Sequence, residues 1–155
     1  MKVNYPLYRT RKGVIVDLNH LIDNTRYFKR HPGEFHKFNS SVYCIIAPNG
    51  ETVYYGKGKF NLSDVLHSRA CSHKGDLLDK YLTKGWTIRL IAIGITDEEA
   101  RALEALLIRK DGRALTKRGA KVWDGVSLIN KRFEHKGEKL IKYHLIYGNN
   151  TRIAA

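Results

Sequence analysis

One short stretch constrains this chain more than any other. Residues 42–47 (VYCIIA) and 52–56 (TVYYG) are β-branched and aromatic runs separated by Pro48-Asn49-Gly50-Glu51. Such residues suit a pleated, half-buried surface, and Asn-Gly between two of these runs is the strongest short-range signal for a β-hairpin. With Asn49 and Gly50 at the central turn positions, Tyr43 faces Gly56, Ile45 faces Tyr54 and Ala47 faces Thr52. Directly opposed residues share a face, so Tyr43, Ile45, Tyr54 and Gly56 line one side of the hairpin. Val42, Cys44, Ile46, Val53 and Tyr55 line the other, more apolar side, which reads as core. Tyr43 and Tyr54 are diagonal neighbours, roughly 7–8 Å apart at the backbone, so both hydroxyls reach one site. Gly56 opposite Tyr43 leaves room for a ligand to approach. An aromatic pair that only stabilises the sheet accounts for the same pattern.

Beyond the hairpin, residues 86–93 (WTIRLIAI) predict a third strand. Thr96-Asp97-Glu98-Glu99 is a capping-box pattern that opens a helix to about residue 110, stopping before Gly112. Helices are also predicted over about 64–73 and 77–84, with a short one near 136–145. Together these predict an α+β fold: a small three-stranded antiparallel sheet flanked by helices. The 155 residues suit one domain. Residues 41–132 form its core, 1–40 a basic N-terminal arm and 133–155 a basic C-terminal extension.

Charge divides along the same lines. The chain carries a net +13, of which residues 1–40 hold +5, 41–112 hold +1 and 113–155 hold +7. Basic flanks interleaved with aromatics such as Tyr27, Phe28, Phe133 and Tyr143 suit phosphate contacts with rings available for stacking. A polyanion, DNA foremost, is the partner this predicts. No apolar run reaches the ~18 residues of a spanning helix, and the first residues lack the apolar segment of a secretory leader. No membrane partner and a reduced, cytoplasmic setting are therefore expected. The two cysteines cannot build a disulfide framework, and Cys71 with His67 and His73 suits no common zinc frame.

Glu104 is the odd residue of the 97–110 helix. It falls inside the apolar stripe of Ala100, Leu103, Leu107 and Ile108. A carboxylate facing a core needs a partner or a metal. Arg101, one turn back, is one such partner. A Mg²⁺ ion completed by waters and substrate phosphate is another.

Taken in order, these residues resemble the GIY-YIG endonuclease family, named for two tripeptides on a β-hairpin. Here the tripeptides read Ser41-Val42-Tyr43 and Tyr54-Tyr55-Gly56, keeping both tyrosines and the last glycine. Gly56-Lys57-Gly58-Lys59 is similar to the run that commonly follows in the family. The next helix in the family carries an arginine with a His or Tyr one turn later. Arg69 and His73 fit that pair, with His67 a competing candidate for the histidine. Glu104 with Ile108 matches the family's catalytic glutamate helix, and Asn130 in GVSLIN matches the asparagine that closes the domain.

The resemblance implies hydrolysis of DNA phosphodiester bonds with one Mg²⁺ or Mn²⁺ ion held by Glu104. Tyr43 would position or deprotonate the attacking water. A phenol titrates near ~10, so the second task calls for a nearby cation, here Lys57 or Lys59. Tyr54 would bond the phosphate or a water on the metal. Arg69 would stabilise charge on the phosphate in the transition state. His73 would be an alternative base or phosphate ligand, and Asn130 would orient the site. Lys57, Lys59, His67, Lys131 and Arg132 are the expected DNA contacts. So compact a nuclease suits a phage or mobile element, and a homodimer is one way for it to read a short site. A catalytically inactive nucleic-acid-binding module with the same fold is the alternative.

Overall fold

The computed structural model describes residues 7–9, 13–19, 21–23, 38–59, 82–115 and 123–130. There, six strands form one sheet: β1 (Leu7–Arg9), β2 (Ile15–Asp17), β3 (Ile22–Asp23), β4 (Ser40–Ile46), β5 (Thr52–Lys59) and β6 (Thr87–Ile95). Their order is β1-β2-β6-β4-β5, with β3 also paired to β6. One helix, α1 (Asp97–Asp111), follows β6 among the described residues.

The fold is α+β, but the sheet is neither three-stranded nor wholly antiparallel. The antiparallel trio β5-β4-β6 is one part of it. Beyond β6, β2 and β3 add in parallel, and β1 pairs antiparallel with β2. Residues 1–40, expected as an arm, thus supply three strands. Val14 and Val16 bury to 3% and 1% exposure, which anchors that segment in the sheet. Its partner strand lies about seventy residues away in sequence, so no turn chemistry announces the pairing.

The hairpin closes one position earlier than Asn-Gly suggests. The Gly50 N–H donates to the Ala47 carbonyl at 2.9 Å, which puts Pro48 and Asn49 at the turn centre. Pro fits the first central position because its φ is already set there. Gly50 follows at φ +90°, a conformation that costs glycine little. Ile46 therefore opposes Thr52, while Ile45 still opposes Tyr54 and Tyr43 still opposes Gly56. Val53 is the extra residue of a β-bulge. The bulge turns Val53 into the same cluster as Tyr43 and Ile45, away from the Val42 side where strict alternation placed it.

Both faces of the sheet are covered. On one, Tyr43, Ile45, Val53, Trp86, Ile88 and Leu90 pack together. On the other, Val42, Ala92 and Ile95 pack against Ala100 and Leu103 of α1. The central strand β4 is consequently buried at all seven positions. Trp86 meets Trp123 edge-on at 6.1 Å, and the Trp123 indole donates to the Ser127 carbonyl at 2.7 Å.

Helix α1 starts and stops as its termini dictate. The Thr96 hydroxyl accepts from the Glu99 N–H at 3.0 Å, and the Glu99 carboxylate accepts from the Thr96 N–H at 3.2 Å. Gly112 ends the helix in the left-handed region. The helices expected at 64–73 and 136–145 lie outside the described residues. Of the one expected at 77–84, residues 82–84 are not helical, because the Trp86 N–H donates to the Thr83 carbonyl in a tight turn through Gly85. Among the described residues no helix is long and apolar enough to cross a membrane.

Candidate functional site

The hairpin delivers the two tyrosines to one place. Their rings stack with centroids 6.4 Å apart and planes 29° apart. Tyr43 is fully buried, and Tyr54 packs against the same cluster from a half-buried position. Gly56 is what lets them close: a Cβ there would stand 2.5 Å from the Tyr43 hydroxyl oxygen and 2.7 Å from Cε1 of Tyr54. The space beside Tyr43 that the missing side chain leaves is thus filled by the tyrosines themselves. The Tyr43 phenol crosses from the central strand to the edge strand over this one residue.

The opposite face of β5 belongs to α1. Lys57, one residue past Gly56, projects to that face and pairs with Asp97 at 3.0 Å. It therefore does not supply a cation to the Tyr43 phenol, because successive strand residues alternate sides. Arg101, one of the two partners considered for Glu104, pairs with the other oxygen of Asp97 at 2.8 Å. Glu104 is 3% exposed, as buried as the capping residue Glu99 and unusual for an acid. Seven residues bring a helix nearly back to the same angle, so Glu104 shares a stripe with Asp97 and Asp111. Asp97 reaches Lys57 of β5, and Asp111 accepts from the Tyr55 hydroxyl at 2.8 Å. Glu104 lies between them. The tyrosine pair and α1, the helix that carries Glu104, thus lie on opposite faces of the sheet at β5.

Among the described residues, Asn130 meets the edge of β5 that faces away from β4. Its amide oxygen accepts from the Tyr55 N–H at 3.0 Å and its amide nitrogen donates to the Tyr55 carbonyl at 2.8 Å. One side chain so satisfies both main-chain groups that Tyr55 turns away from β4. The Ile129 N–H continues this pairing onto the Val53 carbonyl at 2.5 Å. Asn130 thereby holds the residue between Tyr54 and Gly56.

A group that the sequence did not single out closes this end of the site. Arg113 binds Asp111, Glu51 and the carbonyls of Thr52 and Val126. The Arg113 guanidinium holds the Asp111 carboxyl below the usual carboxylate range. Burial, with the hydrogen bond to Asp111, raises the Tyr55 phenol well above its ordinary value. Burial likewise pushes the Cys44 thiol up to about 12, which keeps it protonated and unsuited to bind metal near neutral pH. A signal for Arg113 existed only in Asp111-Gly112-Arg113 ending the helix; its partners lie up to 62 residues away.

Arg69, His73, His67, Lys131 and Arg132 lie outside the described residues, as does the Lys59 side chain; the Lys59 backbone pairs with Ser40. Among the described residues, no three of His, Cys, Asp and Glu gather to hold a metal ion. Mg²⁺ does not require such a cage, since one or two carboxylates with waters and substrate phosphates suffice. Glu104, 3% exposed on α1, is a carboxylate of that donor type. Compared with protein-family models, with curated proteins and with solved structures, the chain matches none.

Proposed function

We propose that this protein is a metal-dependent DNA endonuclease with a GIY-YIG-type site. The observation that carries the proposal is the pair of tyrosines closed over Gly56 on the hairpin; the helix that follows the third strand of the antiparallel trio buries Glu104. The order of elements agrees with what the motif resemblance implies, namely a hairpin, a third strand and then the glutamate helix. The +13 charge supports a polyanionic partner.

Glu104 would hold Mg²⁺ or Mn²⁺, and the bound ion would neutralise charge on the scissile phosphate and the departing oxygen. The Tyr43 hydroxyl would orient the attacking water by hydrogen bonding. With Lys57 committed to Asp97, a positioning role suits Tyr43 better than proton abstraction. Tyr54, half-buried beside it, would bond a phosphate oxygen. Asn130 holds β5 in place and touches no reacting atom. Arg69 or His73 would add charge from the segment outside the described residues. A cytoplasmic setting belongs to the same proposal, as does a homodimer as a way of reading a short DNA site.

One observation favours a second reading, a nucleic-acid-binding module without catalysis. Tyr43 is 0% exposed, as a tyrosine used only for packing would be. Supercoiled plasmid incubated with and without Mg²⁺ separates the two. The endonuclease relaxes or linearises it only with the ion, whereas the module binds it equally in both conditions and leaves it intact. Intact plasmid in Mg²⁺ and in Mn²⁺ alike overturns the nuclease proposal.

A further inference from the structure

We infer that Arg113, acting through Asp111 and Tyr55, is a positioning residue for the Tyr43–Tyr54–Gly56 site rather than a surface cation for DNA. The inference rests on the nuclease reading and names a residue that the reading does not use.

The guanidinium has five N–H donors, and each is engaged. Nε donates to Asp111 Oδ1 at 2.5 Å and Nη2 to Asp111 Oδ2 at 2.8 Å, a two-pronged grip on one carboxylate. Nη1 donates to Glu51 Oε2 and to the Val126 carbonyl, both at 3.2 Å. Nη2 also donates to the Thr52 carbonyl. One side chain, 22% exposed, therefore joins the hairpin turn, the end of α1 and the segment that carries Asn130. A phosphate would find no donor left on it. Lysine cannot substitute here, because its three donors radiate from one nitrogen and cannot span a planar fork of four partners.

The consequence for the site runs through Tyr55. Its hydroxyl is fixed by Asp111 at 2.8 Å, and its N–H and carbonyl are fixed by Asn130 at 3.0 and 2.8 Å. All three anchors depend on segments that Arg113 ties together. Tyr54 and Gly56 are the covalent neighbours of Tyr55, so its placement sets theirs. There is no slack for error, since even a Cβ on Gly56 would stand 2.6 Å from Cζ of Tyr43. A shift of about an ångström in reacting groups can cost a hundredfold in rate.

The test compares wild type with Arg113→Lys and Tyr55→Phe in single-turnover plasmid cleavage over a range of protein concentrations. Tyr55→Phe serves because it keeps the ring and the fold if the lysine variant does not fold. Asp17→Asn is the control: it weakens the Asp17–Arg89 pair, 2.9 Å long, on the far strand β2. The expected result is a maximal rate about tenfold lower in both test variants, half-saturating concentration within twofold of wild type, and an unchanged rate in Asp17→Asn. The Gly56 Hα resonances, which lie against both rings, should also move in Tyr55→Phe. If wild type cuts and both test variants cut equally fast, or Asp17→Asn slows as much as they do, the inference is overturned. If the variants lose DNA affinity and keep their maximal rate, Arg113 is a DNA contact and the inference is again overturned. If wild type leaves plasmid intact, the nuclease reading fails. The Gly56 resonances then decide the positioning alone, and unmoved resonances overturn it.

Discussion

Tyr54 and Tyr55 are consecutive residues that inhabit opposite chemistries. Tyr54 stacks on Tyr43 over a glycine, among apolar side chains. Tyr55 points the other way and donates to Asp111, which Arg113 grips in turn. Strand alternation alone separates them. The comparison teaches that one edge strand carries two devices back to back. One face stacks two phenols among apolar side chains, and the other uses a phenol to fix the strand that carries one of them.

Gly56→Ala breaks the first face most severely. The added methyl overlaps both rings, and overpacking of this kind typically costs about 1–3 kcal/mol. Denaturant unfolding should show a lower midpoint at the upper end of that range. A stability equal to wild type would mean that the tyrosines are not closed over this residue.

The two tyrosines themselves give a smaller and more pointed contrast. Tyr55→Phe leaves Asp111 short of one donor and should lower stability by about 1 kcal/mol, the usual worth of such a bond. Tyr54→Phe keeps the stacked ring and should change stability by less than about 0.5 kcal/mol. Equal losses from the two would erase the distinction between the faces.

The smallest effect is on acid stability. Arg113 depresses the Asp111 carboxyl in the folded protein. A depressed carboxyl stabilises the fold above its unfolded pKa of about 3.9, and that contribution is lost as pH falls below it. Stability should therefore decline below about pH 4, and Asp111→Asn should flatten part of that decline. An unchanged acid slope in the variant would contradict the pairing.

How much of this was legible in the sequence follows from the range of each interaction. Pro48-Asn49-Gly50 and the Thr96–Glu99 box act within four residues, so the hairpin, β6 and α1 were readable with boundaries close to those observed. The register at Tyr43–Gly56 and Ile45–Tyr54 matches the reading although the turn centre lies one position earlier, because the Val53 bulge restores the offset. The Val53 bulge itself carries no turn signal, and the Val53 carbonyl accepts from Ile129, 76 positions on in the chain. The strands β1 to β3 were missed because each is two or three residues long, and β2 and β3 lean on β6 far along the chain while β1 leans on β2. Of the candidate site, Tyr43, Tyr54, Glu104 and Asn130 were all singled out by sequence. That Lys57 serves Asp97, and that Arg113 exists as a hub, depended on side chains meeting across 40 to 62 residues.

The most direct test of the account is the cleavage rate of Glu104→Gln against wild type in Mg²⁺, with DNA affinity and melting temperature measured on the same samples. The account predicts cleavage reduced about a hundredfold or more, with binding and stability near those of wild type. A variant that cuts as fast as wild type would contradict it.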